Sequence, residues 1–215
     1  MNQLYLTNNA SSVMNFSAGL LRSGYSSVSN GVVFAVGDGT QSATLDLPGG
    51  THTFANGLKL NTNASLIGSG DIIAGSATNF GIIAPGHSPG TLTFSGDLTL
   101  NDSSLLNMEI GGTTTNDYDR VWVGGILRIN GLLNVTFTND YTGNVGDTFD
   151  LFNFGSVSGM FSQTNLPTLG AGKEWNTDHL YTQGEITIVP EPGACGLLAL
   201  GLATLRRRKR DHGRH

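Results

Sequence analysis

The fold of this chain is decided by a short stretch that recurs, Gly57-Leu58-Lys59-Leu60-Asn61. It returns as Asp97-Leu98-Thr99-Leu100-Asn101, and again, less closely, as Gly125-Ile126-Leu127-Arg128-Ile129-Asn130. In each copy apolar and polar side chains alternate, and an asparagine follows. Alternation with a period of two buries every second side chain on one face of a strand. The stretch therefore predicts short β-strands that end in asparagine-bearing turns.

The same alternation continues on both sides of this stretch. Further examples are Val32-Val33-Phe34, Thr44-Leu45-Asp46-Leu47 and Thr91-Leu92-Thr93-Phe94. Residues that favour turns separate these segments, at Pro48-Gly49-Gly50, Gly68-Ser69-Gly70, Pro85-Gly86 and Pro89-Gly90. No extended window before Gly193 carries a helical period. We therefore expect an all-β body that occupies residues 1–188.

The spacing of the segments favours a parallel β-solenoid, in which each turn of the chain is one coil. Apolar positions recur, with Leu66 matched by Leu106, while the loops between them vary in length, which is typical of stacked coils. The asparagines would then form a ladder of side chains at one turn. A β-sandwich is the alternative fold, because the strands from Gly125 to Phe154 also fit antiparallel hairpins.

The C-terminal tail has three chemically different parts. Val189-Pro190-Glu191-Pro192 comes first, and the uncharged run from Gly193 to Leu205 follows. A block of cations then comprises Arg206, Arg207, Arg208, Lys209 and Arg210. The apolar run gives only ~20 Å of helix against a ~30 Å hydrocarbon core, so it is a short candidate for a single transmembrane helix. Positive segments stay on the cytoplasmic side, which places residues 1–190 outside that membrane.

Pro190 and Pro192 make the first part of the tail stiff. Each proline fixes its own φ, and each restrains the residue before it to an extended conformation. Processing enzymes bind extended substrates, so this tripeptide is where we expect the chain to be cut.

The tail resembles the PEP-CTERM sorting signal of Gram-negative bacteria, with the motif at Val189-Pro190-Glu191-Pro192 and the basic end at Arg206–Arg210. The resemblance implies a sorting signal over 189–210, a cytoplasmic tail over 211–215, and recognition by an exosortase, a membrane cysteine protease or transpeptidase. It also implies an exported protein of the cell surface or extracellular matrix. Its further partners would be the membrane and the exopolysaccharide of a biofilm.

The body carries a second resemblance. The segments Ile82–Phe94 and Gly96–Leu100, and the later run through Gly146-Asp147-Thr148-Phe149, are similar to the β-strand repeats of autotransporter passengers and of other PEP-CTERM surface proteins. The similarity covers residues 80–188. It implies a right-handed β-helix whose strands near Val135 to Ile188 close or cap the end.

Charge and composition favour an exported protein. Residues 1–190 carry 14 acidic and 5 basic side chains, a net charge of −9, whereas 191–215 carry 2 acidic and 6 basic side chains, a net charge of +4. A negative body excludes nucleic acid as a partner. Only 13% of the residues are charged and 31 are glycine, which is unusual for a cytoplasmic enzyme.

The cysteine content and the first residues of the chain lead to two further expectations. Cys195 is the only cysteine and lies in the apolar run, so no disulfide forms within a chain. The start, Met1 to Leu6, has neither a basic region nor an apolar run of a signal peptide. We therefore expect that the body is N-terminally truncated and that the signal peptide precedes it.

Few residues suggest chemistry. Asp117 and Asp119 would point to the same face and would suit acid–base chemistry or Ca²⁺, although a solvated turn with Asp119 near Arg120 is the interpretation we favour. Three isolated histidines, His52, His87 and His179, show no link to a nucleophile, and His87 fits a turn. Tyr118, Trp122 and Trp175 are candidates for stacking on sugar rings. We predict no catalytic residue, metal site or cofactor.

These observations predict a noncatalytic surface or matrix protein processed by an exosortase. The alternative is a carbohydrate-active β-helix enzyme, a polysaccharide lyase or hydrolase, with the same tail. A cleft lined by two carboxylates within ~10 Å of each other would favour the enzyme. A smooth coil surface of Asn, Ser and Thr would favour the structural protein.

Overall fold

The computed structural model of the protein describes residues 3–7 and 12–192. Within those residues the chain forms nineteen β-strands and no helix. The strands are β1 (Gln3–Leu6), β2 (Gly19–Arg22), β3 (Tyr25–Val28), β4 (Phe34–Val36), β5 (Ala43–Phe54), β6 (Leu58–Leu60), β7 (Ala64–Ile73), β8 (Ser76–Asn79), β9 (Ile82–Pro85), β10 (Thr91–Phe94), β11 (Asp97–Leu100), β12 (Leu105–Ile110), β13 (Arg120–Ile129), β14 (Leu132–Phe137), β15 (Thr148–Asp150), β16 (Phe152–Gly159), β17 (Gln163–Asn165), β18 (Lys173–Asn176) and β19 (Glu185–Pro190).

Sixteen of these strands form one sheet whose strands pair in parallel. The pairs stack into three columns. Column 1 holds β2, the first half of β5 and of β7, β9, β12, β14 and β17. Column 2 holds β1, β3, the second half of β5 and of β7, β10, and the first half of β13 and of β16. Column 3 holds β4, β6, β8, β11, and the second half of β13 and of β16.

The recurring stretch lies in register in column 3. Leu58 and Leu98 both pair with Ala77 in the coil between them, and Leu98 pairs with Leu127 in the next coil. All four side chains are buried. The repeat in the sequence therefore marks one inward position of column 3, which confirms the all-β prediction and fits a solenoid-like fold.

The core runs along the interior of the columns. In column 1 one row of inward side chains is almost fully buried and consists of Leu45, Leu66, Ile83, Leu106 and Leu133. Burying such a side chain contributes ~1.5–3 kcal/mol. Each coil is too short to bury its own apolar face, so the coils depend on their neighbours for stability.

The antiparallel hairpins of the sandwich alternative do not occur between Gly125 and Phe154. β13 pairs in parallel with β10, β11 and β16, and β14 pairs in parallel with β12 and β17. The reason is that consecutive strands belong to different columns, so each one meets the equivalent strand of the next coil.

The turn asparagines bond to backbone instead of forming a ladder of side chains. Asn61 Nδ2 donates to the Gly37 carbonyl at 2.6 Å, and Asn101 Nδ2 donates to the Asn79 carbonyl at 3.0 Å, in each case in the preceding coil. The third asparagine, Asn130, accepts the N–H of Gly131 in its own turn. The predicted ladder is therefore wrong in detail, although the side chains do satisfy turn backbone groups.

A second, antiparallel sheet of β15, β19 and β18 packs beside the last coils and is called the cap here. Phe149 of β15 is fully buried, and its ring centroid lies 5.5 Å from that of Tyr118, 6.1 Å from Tyr141 and 6.0 Å from Trp175. The Gly184 carbonyl accepts the N–H groups of residues 151 and 152, which joins the cap to β16. The cap and the coils share one apolar core.

No helix within residues 3–7 and 12–192 has the length and apolar character needed to cross a bilayer. The predicted transmembrane helix, Gly193 to Leu205, lies outside the described residues.

Candidate functional site

A cleft of about 500 Å³ opens on the outer face of column 1. One wall is the loop from Pro85 to Gly90, which joins β9 to β10 and folds back toward the preceding coils. Gly68 and Gly86 hold this loop by two backbone hydrogen bonds of 3.2 and 2.6 Å. Gly68 has a φ of 97°, and a Cβ there would collide with the Leu47 carbonyl, so both its conformation and its surroundings require glycine.

His87 lies in the loop, where it contacts a buried carboxylate. Its Nε2 lies 2.8 Å from Asp46 Oδ1, and Arg22 lies 3.2 Å from the other oxygen of the same carboxylate. Asp46 is buried, whereas His87 is exposed. The neighbouring Ser88 has a φ of 127°, which glycine adopts more readily, so tertiary contacts rather than local preference hold the loop in place.

Asp119 holds the other end of the loop. Its Oδ1 accepts the N–H of Gly90 at 2.7 Å, and its Oδ2 accepts the N–H of Glu109 at 2.8 Å. Burial raises the pKa of the Asp119 carboxyl to about 7, although the two N–H donors oppose this rise. The solvated turn favoured by the sequence is therefore wrong for this residue, which is only 1% exposed. Both carboxylate oxygens serve to join separate segments.

The floor of the cleft carries amide and carboxylate groups. Asn107 and Asn134 line the cleft and lie in register on the outward face of β12 and β14, and Asn165 continues the row on β17 beyond the cleft. Asn134 Nδ2 donates to Asn107 Oδ1 at 3.2 Å. Glu109 projects from the same face of β12, and its half-buried carboxylate has no hydrogen bond or ion pair with the residues that the structure describes. The cleft thus offers unoccupied donors and acceptors.

His52 belongs to a buried polar network that the sequence did not reveal. Its Nδ1 lies 3.0 Å from Ser26 Oγ, and its Nε2 lies 3.1 Å from the Gly49 carbonyl. Ser26 in turn donates to Ser23 Oγ at 3.2 Å. A signal was present, because His52 and Phe54 are two residues apart and share an inward face. Since the network is inaccessible to solvent, its role is structural.

Acidification should weaken the fold through His52. Burial lowers the pKa of the His52 imidazole below its ordinary value of 6.5, although the Gly49 carbonyl and Asp71 oppose this shift. Below pH 6.5 the His52 imidazole is protonated in the unfolded chain but stays neutral in the folded chain. The free energy of unfolding therefore falls as the pH falls toward the folded-state pKa. We expect urea unfolding at pH 5 and 7.5 to show this loss. Subtracting the profile of His52→Phe isolates it, and identical profiles would contradict the prediction.

The aromatic residues considered for sugar stacking are largely engaged. Tyr118 is buried against Phe149, and Trp175 Nε1 donates to the Pro167 carbonyl at 2.9 Å within the cap. Trp122 is 39% exposed, but Arg120 lies over its ring at 5.0 Å from the centroid. The structure therefore leaves no open row of aromatic rings among these three.

The remaining candidates of the sequence lie apart from the cleft or do not contact it. Asp117 is half-buried and accepts the Thr114 hydroxyl at 2.7 Å, which makes it a turn residue. His179 lies in the turn before β19. In the described part of the chain no group of three or more His, Cys, Asp or Glu side chains is placed to hold a metal ion.

The predicted sorting motif begins inside the cap. Val189 and Pro190 are the last residues of β19, where they pair with Glu174 and Lys173 of β18. Glu191 follows the strand, and its N–H donates to the Gly172 carbonyl at 3.0 Å. Residues 190–192 are exposed. The basic residues Arg206–Arg210 lie outside the described residues, as does Cys195.

Comparison with known proteins adds no relative. No protein-family model matches the chain, and no curated protein matches it.

Proposed function

We propose that the protein is a noncatalytic, exported protein of the bacterial surface or extracellular matrix, processed by an exosortase at Val189-Pro190-Glu191-Pro192. The body is a right-handed β-helix in this proposal. Its parallel columns support that choice, because connections between parallel strands of one sheet are right-handed in nearly all known proteins.

The observation that carries the proposal is where the folded body ends. β19 ends at Pro190, which is also the first residue of the exposed Pro190-Glu191-Pro192 at the edge of the cap. The uncharged run starts at the next residue, Gly193. A processing enzyme in the membrane would therefore meet the motif at the boundary between the body and the apolar run.

The membrane orientation follows from charge. In the proposal Gly193 to Leu205 enters the inner membrane, and Arg206–Arg210 stay in the cytoplasm with the tail 211–215. The body, with its net charge of −9, then lies on the outer side of the inner membrane. Removal of the tail releases the body to the surface or to the exopolysaccharide of a biofilm.

The cleft favours one second candidate, a carbohydrate-active enzyme. Glu109 and Asp119 both line it, and His87 forms part of its wall. Glycoside hydrolysis needs one carboxyl as acid and another as base or nucleophile. Asp119 is a poor second carboxyl, because backbone N–H groups occupy both its oxygens. Cleavage of an oligosaccharide that is lost in Glu109→Gln would support the enzyme.

The test of the leading proposal is the intact mass and location of the protein in a host with an exosortase and in the same host without it. We expect loss of everything after about Pro192 and recovery outside the inner membrane only in the first host. An unprocessed protein that stays in the inner membrane of both hosts would reduce the tail to a membrane anchor.

A further inference from the structure

The unoccupied polar groups of the cleft match the hydroxyl groups of a sugar. Asn107 and Asn134 bond to each other through one donor and one acceptor, which leaves Asn107 Nδ2 and Asn134 Oδ1 without a protein partner among the described residues. Each hydroxyl both donates and accepts, so an amide row with one free donor and one free acceptor suits neighbouring hydroxyls. The Glu109 carboxylate adds two acceptors on the same face.

The rest of the lining suits the apolar faces of sugar rings. Ile67, Ala84 and Pro85 line the cleft beside the polar groups. The volume of about 500 Å³ lies within the range of small-molecule sites, which is ~300–1,000 Å³. The loop wall is held by Gly68, Asp119 and Asp46, so little ordering is required on binding.

The charge at the cleft selects among sugars. The Glu109 carboxylate lines it, and Asp46 lies behind His87. Of the described lining residues His87 is the only basic one, and its Nε2 already contacts Asp46. A uronic acid would place another carboxylate beside Glu109, whereas a protonated amine would form an ion pair with it.

We propose that this cleft binds a saccharide without acidic groups, and that it binds amino sugars most tightly through Glu109. Asn107 and Asn134 hold the ring hydroxyls, and Glu109 receives the amine. The inference rests on the proposed function, because a surface or matrix protein is the one that meets such polymers.

The test measures binding of three hexasaccharides to the full-length chain by titration calorimetry at mildly acidic pH. The probes are hexamers of glucosamine, N-acetylglucosamine and galacturonic acid. We expect the amine form to bind about tenfold more tightly than the acetylated form, since an ion pair and a charged hydrogen bond are lost on acetylation. The acidic hexamer should bind more weakly than both. This comparison needs no substitution.

Variants assign the effect to the cleft. Glu109→Gln should weaken the amine form at least about tenfold and the acetylated form less, while Asn107→Ala with Asn134→Ala should weaken both. Glu174→Gln is the matched control, because this exposed carboxylate lies on β18 in the cap. Unchanged urea midpoints verify folding.

Tightest binding of the acidic hexamer, no binding of any hexamer, or an unchanged affinity in Glu109→Gln would overturn the inference. The two proposals fail separately. Tail removal without glycan binding overturns only the ligand assignment, and glycan binding with a retained tail overturns only the exosortase.

Discussion

Replacing Pro190, Glu191 and Pro192 together by alanine is expected to abolish removal of the tail completely in a host that contains an exosortase. The substitution takes away both restraints on φ and the only carboxylate of the motif. It should spare the cap, because the three side chains are exposed and the N–H of residue 191 can still donate to Gly172. Intact mass spectrometry of the purified protein measures the result directly.

Two controls separate recognition from folding in this experiment. Glu174→Ala removes an exposed carboxylate that lies opposite Val189 on β18, outside the motif, and should be processed normally. The triple variant should also keep the urea midpoint of the parent chain. Normal tail removal in a well-folded triple variant would contradict the assignment of the motif.

Phe149→Ala should destabilise the cap by ~3–5 kcal/mol, which is typical of an emptied phenylalanine site in a core. The ring is fully buried and contacts Tyr118, Tyr141 and Trp175, so no single neighbour can fill the space. A stacked fold need not unfold in one step, so the cap should be lost before the coils.

Fluorescence of Trp175 distinguishes these two stages. The chain has 2 tryptophans, so a Trp122→Phe background makes Trp175 the sole reporter of the cap, while far-ultraviolet circular dichroism follows all strands. Met160→Ala is the matched control, because Met160 is 64% exposed and surface truncations change stability by less than ~0.5 kcal/mol. An unchanged midpoint for Phe149→Ala would show that the ring does not hold the cap.

The sequence predicted the structural features that depend on residues close together in the chain. The alternation around Leu58 and Leu98 identified the inward positions, and it correctly predicted parallel β-strands there. The contacts that build the cleft were not predictable in this way. Asp46 meets His87 only because two coils of different length bring a strand and a loop together.

The same limit explains the error at Asp119 and the unforeseen network around His52. Polar residues surround Asp119 in the sequence, which favours a solvated turn. Its partners, Gly90 and Glu109, come from another loop and another strand. His52 meets Ser26 through the register of β3 and β5. Register between coils depends on loop lengths, and these vary too irregularly here to be read from one sequence.

Because the Glu191 N–H donates to the Gly172 carbonyl, the linker between the cap and the apolar run is very short. In sequence only Pro192 separates Glu191 from Gly193. In the proposed membrane orientation the body therefore lies directly against the membrane surface, with its cap facing the lipid. An exosortase must then either accept a folded domain at close range or wait until the end of β19 frays from Lys173. In this proposal, delivery to the surface depends on the stability of the pairing between β18 and the end of β19.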